Sequence, residues 1–472
     1  MGKTPLTEPF SRVESSVKQL DGAKFHGHVK SILGMVVEVA GINEYLSVGD
    51  RCYIINREKA RIACEIVGFK EDHAIAMAFG NLEGVGLGAR VEVSSKQAVV
   101  MPAMSWLGRI IDGLGNPIDG KGPLEAGPAA VPLRNKPPLA SARARVGDKI
   151  DLGIRSINTF LTACRGQRMG IFSGSGVGKS TMLSMIARYT DADVNVIGLV
   201  GERGREVTEF IEDDLGEEGL KRSIIIVATG DESPLMRRQA AYLTLSVAEF
   251  FRDHGKDVLC MIDSVTRFAM AQREIGLSAG EPPASKGYTP TVFSELPKLL
   301  ERAGPGHKGQ TGSITGLFTV LVEGDDHNEP ISDAVRGILD GHIVLDRNIA
   351  QQGRYPPVNI LQSVSRMLPD CNTDFQNEIV ERARQLMAAY DNMAEMIRLG
   401  AYKRGSDPKT DEAIEYRDHL EEFLGQRIDE QSLLEPCYQQ LAEILGMTEA
   451  VETDETAEDA NQIPSELIGR EA

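Results

Sequence analysis

The chain has 472 residues, of which 42% are hydrophobic and 25% charged, and its formal net charge is −18. Because this length exceeds that of a typical single core, we expect two or three domains in a globular protein. The acidic excess opposes general attraction to nucleic acid or to an anionic lipid surface. There is no apolar run long enough to cross a bilayer and no apolar core of a secretory signal near the start, so the expected location is the cytoplasm.

Six cysteines are scattered along the chain without a Cys-x-x-Cys pair, which argues against a zinc site and against a disulfide framework. We expect them to be reduced and mostly to pack in cores. They are Cys52, Cys64, Cys164, Cys260, Cys371 and Cys437.

Residues 1–24 alternate only weakly and contain two prolines, which predicts a mobile segment, with regulator binding as its possible role. Residues 25–98 consist of short β-branched runs divided by glycine turns, a pattern typical of a small closed β-barrel. A glycine- and proline-rich connector over residues 107–136 follows this barrel.

In the predicted central domain, residues 99–368, apolar strands alternate with helical stretches. This alternation implies parallel strands in a sheet covered by helices, so the predicted fold class is α/β. The glycine-rich motif described below makes the predicted core that of a P-loop NTPase. The strand candidates are residues 168–173, 194–200, 223–228, 258–262, 316–322 and 342–345.

Residues 369–447 are predicted to be helical because apolar residues recur at three- and four-residue steps. The resulting stripe is typical of a core-facing surface, and a docking surface for a helical partner is the alternative. Residues 448–472 are acidic and poor in large apolar side chains, which predicts a solvated, disordered tail rather than a partner-binding element.

The most specific motif is a glycine-rich run between a predicted strand and a predicted helix. Its glycines allow a tight curl that points backbone N–H groups and the helix N-terminus at a triphosphate. Lys179 would reach the β- and γ-phosphates, and the Ser180 hydroxyl would ligate Mg²⁺. Ser173 stands where the general pattern has glycine, but the flanking strand and helix favour a phosphate loop over a chance turn. The predicted nucleotide contacts are Gly174, Ser175, Gly176, Val177, Gly178, Lys179, Ser180 and Thr181.

Two acidic segments follow the phosphate loop. A hydrophobic strand over residues 258–262 ends in Asp263, which would hold Mg²⁺ through water. Glu202 follows another strand and is the candidate that polarises the attacking water, with Arg203 orienting it and Glu206 near the water shell of the metal. From residue types alone, a solvated charge cluster at a helix start is the alternative for the second segment.

Three motifs resemble, in order and spacing, the catalytic subunit of the F-type and V-type rotary ATPases, and the likeness covers about residues 25–445. They are GSGVGKS at 174–180, GERGRE at 201–206 and IDSVTRFA at 262–269. Other segments are more similar to the flagellar export ATPase and its virulence-secretion paralogues. These segments are residues 276–283, 286–290, 323–331, 336–345, 400–405 and 411–414.

The resemblance implies a homohexamer that hydrolyses ATP with Mg²⁺ between neighbouring subunits. It assigns Arg366 as an arginine finger for the adjacent subunit, Tyr355 as the aromatic that stacks on adenine, and Arg267 as a further catalytic arginine. Where rotary enzymes have a second adenine-packing aromatic, this chain reads Gln426-Arg427-Ile428. Since Glu202 and Arg366 lie in one chain, identical subunits would supply both halves of every site.

For the biological role, the resemblance implies ATP-driven protein export through a flagellar apparatus, with a virulence-type secretion system as the alternative. The implied partners are a stator-like regulator, a central stalk protein, export-gate membrane proteins and complexes of export chaperones with their substrates. The implied location is the inner-membrane base of the export apparatus.

Two functions from other classes stay open at this point. A ring ATPase acting on RNA would stack bases on aromatics in a basic barrel, but residues 27–95 offer few aromatics among acidic side chains, so no nucleic-acid partner is expected. A docking module that binds nucleotide only for assembly would not need Glu202, Asp263 and Arg366 together.

Overall fold

The computed structural model describes residues 25–94, 98–322, 324 and 329–448. The predictions for residues 1–24 and for the tail beyond residue 448 lie outside the described residues. The chain divides into two compact units, Met1–Cys371 with Glu421–Cys437, and Asn372–Leu420 with Tyr438–Ala472. None of the described helices combines the length and the apolar character that a membrane span requires.

The first unit begins with the predicted barrel. Its six antiparallel strands close in the order β1-β2-β5-β4-β3-β6, and alternate residues of β2 and β3 point into its core. Strand β5 is buried along its whole length because residues at its end also pack against the central domain. The strands are β1 His26–Leu33, β2 Val36–Ala40, β3 Arg51–Ile55, β4 Arg61–Lys70, β5 His73–Ala78 and β6 Arg90–Val93.

A nine-stranded sheet forms the centre of the first unit, as the α/β prediction requires. Its strand order is β19-β18-β12-β17-β15-β13-β14-β8, with β16 paired to β17, and all six predicted strands are present within a few residues. The long strands pair in parallel, so their carboxyl ends meet at one edge of the sheet. The members are β8 Ile110–Asp112, β12 Arg168–Ser173, β13 Val194–Val200, β14 Ser223–Ala228, β15 Asp257–Asp263, β16 Gly304–Pro305, β17 Ser313–Leu321, β18 Gly341–Leu345 and β19 Val364–Ser365.

Two small antiparallel pairs lie outside this sheet: β7 Val99–Val100 with β9 Val131–Pro132, and β10 Lys149–Ile150 with β11 Ala163–Cys164.

Helices cover the sheet, and the most buried of them begins at Pro234. Eighteen of its residues are buried, so the helix is covered on nearly all sides rather than on one face only. The helices before residue 372 are α1 Arg155–Phe160, α2 Lys179–Tyr189, α3 Gly204–Glu209, α4 Gly216–Lys221, α5 Pro234–Asp253, α6 Val265–Ser278, α7 Pro290–Leu300, α8 Pro330–Ile338 and α9 Arg347–Gln351, and a π-helical turn, Phe210–Leu215, joins α3 to α4.

The C-terminal part is helical, as predicted, with α10 Asp374–Arg398, α11 Pro408–Leu424 and α12 Leu434–Leu445. A capping box formed by Thr373 and Gln376 begins α10. The predicted apolar stripe is buried at Ile379, Ala383 and Leu386, and only half-buried further along the helix. The stripe is therefore core-facing over the first half of α10.

Candidate active site

The phosphate loop occupies the turn between β12 and α2. Gly176 has φ 73° and Gly178, the residue before α2, has φ 93°, which are left-handed conformations that glycine adopts without steric cost. Val177 is buried and anchors the loop, whereas Ser175 and Ser180 are exposed. The loop therefore presents backbone amides and the Ser180 hydroxyl at the start of a helix, where an anion is stabilised.

Arg347 is a residue of this loop region that the sequence analysis did not select. Its Nη2 donates to the carbonyl of Ser175 at 3.2 Å. It begins α9, two residues after the end of β18, so its place near the carboxyl end of a central strand was the available signal.

Lys179 lies between the two carboxylates that the sequence analysis selected. Its Nζ donates to Asp263 Oδ1 and, at 3.4 Å, to Glu202 Oε1. Burial alone would lower the pKa of Lys179, but the charges of Asp263 and Glu202 outweigh it and raise that pKa. The structure thus brings the three central predicted residues into one cluster, in which Asp263 is buried and Lys179 and Glu202 are partly buried.

Asp263 ends β15, next to both β13 and β17, and it is 4% exposed. The buried Thr319 hydroxyl on β17 donates to Asp263 Oδ1 at 2.7 Å. Both the threonine and Lys179 bind this one oxygen, so the carboxylate is held in a single orientation. Thr319 was not predicted, because a threonine inside a hydrophobic strand carries no signal of its own.

Glu202 has a strongly perturbed acidity. Burial, followed by the neighbouring Asp263 carboxylate, raises its pKa to about 7, although Lys179 opposes the shift. A carboxyl group with this pKa exchanges protons near neutral pH, as a general base requires.

Arg203 and Glu206 lie beside Glu202 in a defined order. Arg203 Nη1 donates to Glu206 Oε1 at 3.1 Å, and the arginine side chain is 85% exposed. Burial alone would raise the pKa of Glu206, but hydrogen bonding to Glu202 and to the Arg203 backbone outweighs burial and lowers that pKa. Arg203 therefore reaches Glu202 through Glu206, and the predicted orienting role stays a prediction.

Arg267 packs its aliphatic stem against Gly201, where a β-carbon would come within 2.7 Å of the arginine Cβ. Gly201 has φ 76°, so both its conformation and this contact require glycine. The Nε of Arg267 is buried without a hydrogen-bond partner in the described residues. A buried donor of this kind fits an anionic group, which would complete its hydrogen bonding.

Tyr355 lies against the phosphate loop, with its ring 3.6 Å from the position of a β-carbon on Gly178, and it is half exposed. Its carbonyl accepts from the Gln426 backbone N–H at 2.8 Å. The Gln426 side chain is buried and bonded to Arg155, Gly153 and Glu430. Gln426 thus positions the Tyr355 loop, and its own amide is not available to a base.

Arg366 is exposed and lies near the amino ends of the parallel strands, whereas the phosphate loop lies at their carboxyl ends. Its backbone N–H donates to Asp340, which also bonds to the backbone of Arg168 at the first residue of β12. The phosphate loop follows the last residue of β12, which is roughly 17 Å further along at the usual rise of a strand. Arg366 is not brought together with Lys179 in one chain.

Among the residues that the structure describes, no group of three or more His, Cys, Asp or Glu side chains could hold a metal ion. Mg²⁺ in nucleotide sites takes one or two protein oxygens, water and phosphate oxygens. The exposed Ser180 hydroxyl and the Asp263 carboxylate, which ends β15 two strands away from β12, match that donor set. The residues present therefore fit Mg²⁺ that arrives with a nucleotide.

Two family models match this chain. The model for the ATP synthase alpha/beta family, nucleotide-binding domain, matches residues 153–365, and the model for the T3SS EscN ATPase C-terminal domain matches residues 373–443. These two segments contain every predicted site residue except Arg366, which lies between them.

Similar proteins extend over nearly the whole chain. The flagellum-specific ATP synthase of Caulobacter vibrioides is 55% identical, with 91% of this chain and 98% of that protein covered. The type 3 secretion system ATPase of Xanthomonas euvesicatoria is 42% identical, covering 94% and 99%. The assembled ATPase EscN of enteropathogenic E. coli, solved alone and with its central stalk EscO, superimposes with a TM-score of 0.81 at 37% identity, covering 89% of this chain and 100% of that one.

Proposed function

This chain belongs to the ATP synthase alpha/beta family, among the flagellum-specific ATP synthases and type 3 secretion ATPases, and we propose that Glu202 activates water in its ATP hydrolysis while Arg366 completes the site of a neighbouring subunit. Its function is ATP hydrolysis in flagellar or type III protein export. Identity to the flagellar relative, 55% against 42% for the type 3 secretion ATPase, favours the flagellar apparatus.

The observation that carries the proposal is the cluster of Lys179, Glu202 and Asp263 beside the phosphate loop. Phosphate oxygens would compete with the two carboxylates for the Lys179 ammonium. Glu202 would then face the terminal phosphate with a pKa near neutrality and could orient and deprotonate a water molecule.

Further groups would stabilise the charge that develops on the phosphoryl oxygens. Mg²⁺, held by Ser180 and through water by Asp263, neutralises phosphate charge when bound. The unpartnered Nε of Arg267 would donate from within the same chain. Arg366 would donate from the neighbouring subunit, since it is exposed and lies far from its own phosphate loop.

We propose a homohexamer that works with a central stalk protein, as the likeness to EscN assembled with EscO supports. A stator-like regulator, export-gate membrane proteins and chaperone–substrate complexes are the further partners that the family likeness supports. The proposed location is the base of the export apparatus at the inner membrane.

Substituting Glu202 tests this function directly. Glu202→Gln is expected to lower kcat about 100-fold or more, because the amide cannot accept a proton, and to leave nucleotide binding intact. Glu209→Gln is the matched control, since Glu209 is the last residue of α3, seven residues after Glu202, and its carboxylate accepts from exposed Arg205. Turnover by Glu202→Gln at the wild-type rate would show that another group activates the water.

A further inference from the structure

Cys164 and Cys371 are far apart in sequence but form a hydrogen-bonded thiol pair in the first unit. Cys164 ends β11, and Cys371 is the last residue before the chain enters the second unit. The nucleotide site uses neither residue.

Hydrogen bonds keep the two segments that carry the cysteines next to each other. The Ser365 hydroxyl donates to the carbonyl of Thr162 at 2.8 Å and accepts from Gln167 Nε2 at 3.1 Å, so β19 is tied to residues flanking Cys164. The Cys371 N–H donates to Met367 at 3.0 Å and closes a turn after β19. The thiol contact therefore rests on a bonded framework.

The two thiols differ in exposure and in acidity. Cys164 is 1% exposed, whereas Cys371 is half-buried. Hydrogen bonding from Cys164 lowers the pKa of Cys371 to about 7, although burial opposes this change. The same hydrogen bond, together with burial, raises the pKa of Cys164. Cys371 is thus the accessible, ionisable sulfur, and Cys164 is its protected neighbour.

The charged groups around the two cysteines have opposing effects on the ionisation of their thiols. Lys149, directly opposite Cys164 on β10, favours the Cys371 thiolate. Asp370 opposes that thiolate, Asp148 disfavours ionisation of Cys164, and Glu435 interacts with Lys149.

We propose that Cys371 and Cys164 form a peroxide-reactive dithiol, in which Cys371 is oxidised first and Cys164 resolves it to a disulfide. Low thiolate pKa, access and an adjacent second thiol are the features of redox-sensing cysteines. Disulfides of this kind in a reducing compartment are transient.

The chemistry balances with hydrogen peroxide as the oxidant. The Cys371 thiolate attacks one peroxide oxygen, an S–O bond forms, the O–O bond breaks, and hydroxide leaves and takes up a proton. Cys164 sulfur then attacks the sulfenic sulfur, an S–S bond forms, the S–O bond breaks, and water leaves with the Cys164 proton. The two thiols lose two electrons, and peroxide is reduced to two waters.

The disulfide would restrain the segment that carries Arg366, five residues before Cys371. This step rests on the proposed function, in which Arg366 has to reach a neighbouring site. We expect oxidation to slow ATP turnover and reduction to restore it.

The barrel contains a matched control pair. Cys52 and Cys64 stand directly opposite each other on β3 and β4, and both are fully buried. Hydrogen bonding to Cys52 and burial raise the pKa of Cys64, so that pair should resist peroxide.

The chemical test treats the full chain with hydrogen peroxide and maps thiols by mass spectrometry. We expect a Cys164–Cys371 disulfide, with Cys52 and Cys64 still reduced. In Cys164→Ser, dimedone should trap a sulfenic acid on Cys371, and Cys371→Ser should give neither product. Absence of the disulfide from the wild-type protein, or oxidation of Cys371 no faster than of Cys437, would overturn the proposal.

Turnover is measured on the same samples. Oxidised wild type should lose ATPase activity several-fold and regain it with dithiothreitol, whereas Cys371→Ser should be unaffected by peroxide. Complete disulfide formation with unchanged turnover would refute the regulatory step. Thiol mapping does not depend on catalysis, so it tests the dithiol even if the proposed catalytic roles are wrong. Those roles fail separately, if the Glu202→Gln variant hydrolyses ATP at the wild-type rate.

Discussion

Glu202 occupies a position where ionising a carboxyl group is unfavourable. Its pKa rises from 4.5 to about 7 in the folded chain, chiefly through burial and the Asp263 charge. Between these values the native state retains a proton that the unfolded chain has released. The stability from this group is complete below about pH 4.5 and is lost as the pH rises through about 7.

Glu202→Gln should therefore change how stability depends on pH. In the nucleotide-free protein, we expect the variant to unfold at higher urea concentration than wild type above about pH 7, with a difference that shrinks toward pH 5. Urea unfolding curves at several pH values measure this. Glu209→Gln should follow the wild-type curve, and a variant less stable than wild type at about pH 8 would contradict the assignment.

Thr319 is a neutral side chain that holds the Asp263 carboxylate through a hydrogen bond. Replacing it by valine preserves shape but removes the hydrogen bond to Asp263. The loss of about 1–1.5 kcal/mol for such a bond predicts that kcat falls about 5- to 13-fold.

Thr315→Val is the matched control for Thr319→Val. Thr315 lies on the same buried face of β17, but its hydroxyl accepts from Gly166, away from the catalytic edge. Both variants should lose similar stability, and only Thr319→Val should lose turnover at saturating ATP. Equal kcat values for the two variants would refute a role for Thr319 in holding Asp263.

The start of helix α5 joins the barrel to the catalytic edge. The Ser233 hydroxyl accepts from Met236 N as a helix cap and donates to the carbonyl of Phe79 at 2.9 Å, just after β5. In the same loop, the Gly230 N–H donates to the Glu202 carbonyl at 3.0 Å. The barrel and the segment that carries Glu202 therefore share one short loop.

Ser233→Ala should destabilise this junction. It removes a cap and an interdomain hydrogen bond, which together cost about 1–3 kcal/mol of unfolding free energy. Urea unfolding measures the loss, with Ser294→Ala as the control because Ser294 is exposed and its hydroxyl donates to Thr291 within α7. Equal stability of the two variants would show that water replaces both bonds.

Arg366 and Lys179 lie at opposite ends of the parallel strands, so one chain cannot bring them together and a proposed site that uses both requires two subunits. If a site takes Lys179 from one subunit and Arg366 from the next, a mixed ring contains intact sites wherever a subunit with Lys179 lies next to a subunit that supplies Arg366. If both residues act within one chain, a mixture of two single variants contains no intact site.

Mixing two inactive variants distinguishes these arrangements. Lys179→Ala and Arg366→Ala should each be inactive alone, and a co-assembled equal mixture should recover about a quarter of wild-type turnover, the share of neighbouring pairs with both groups intact. The steady-state ATPase rate of co-assembled subunits measures this. No recovery in a verified mixed ring would place Arg366 outside the trans site.

Local sequence patterns determined the barrel, the parallel sheet, the phosphate loop and the candidate carboxylates. Each of these depends on short-range features: hydrophobic periodicity, glycines that permit a tight turn, and polar residues directly after a strand. Asp263 and Glu202 could be predicted to lie close together because each comes at the carboxyl end of a strand, and parallel strands end on the same side of the sheet.

Only the tertiary structure decided which distant residues meet. It placed Thr319 on Asp263, Arg203 on Glu206 rather than on Glu202, and Cys164 beside Cys371, and it separated Arg366 from its own phosphate loop. These pairings depend on strand order and on the path of loops, which a single sequence does not encode in any local pattern. The physical reason is that burial and long-range contacts, which set acidity and orientation here, exist only after the chain has packed.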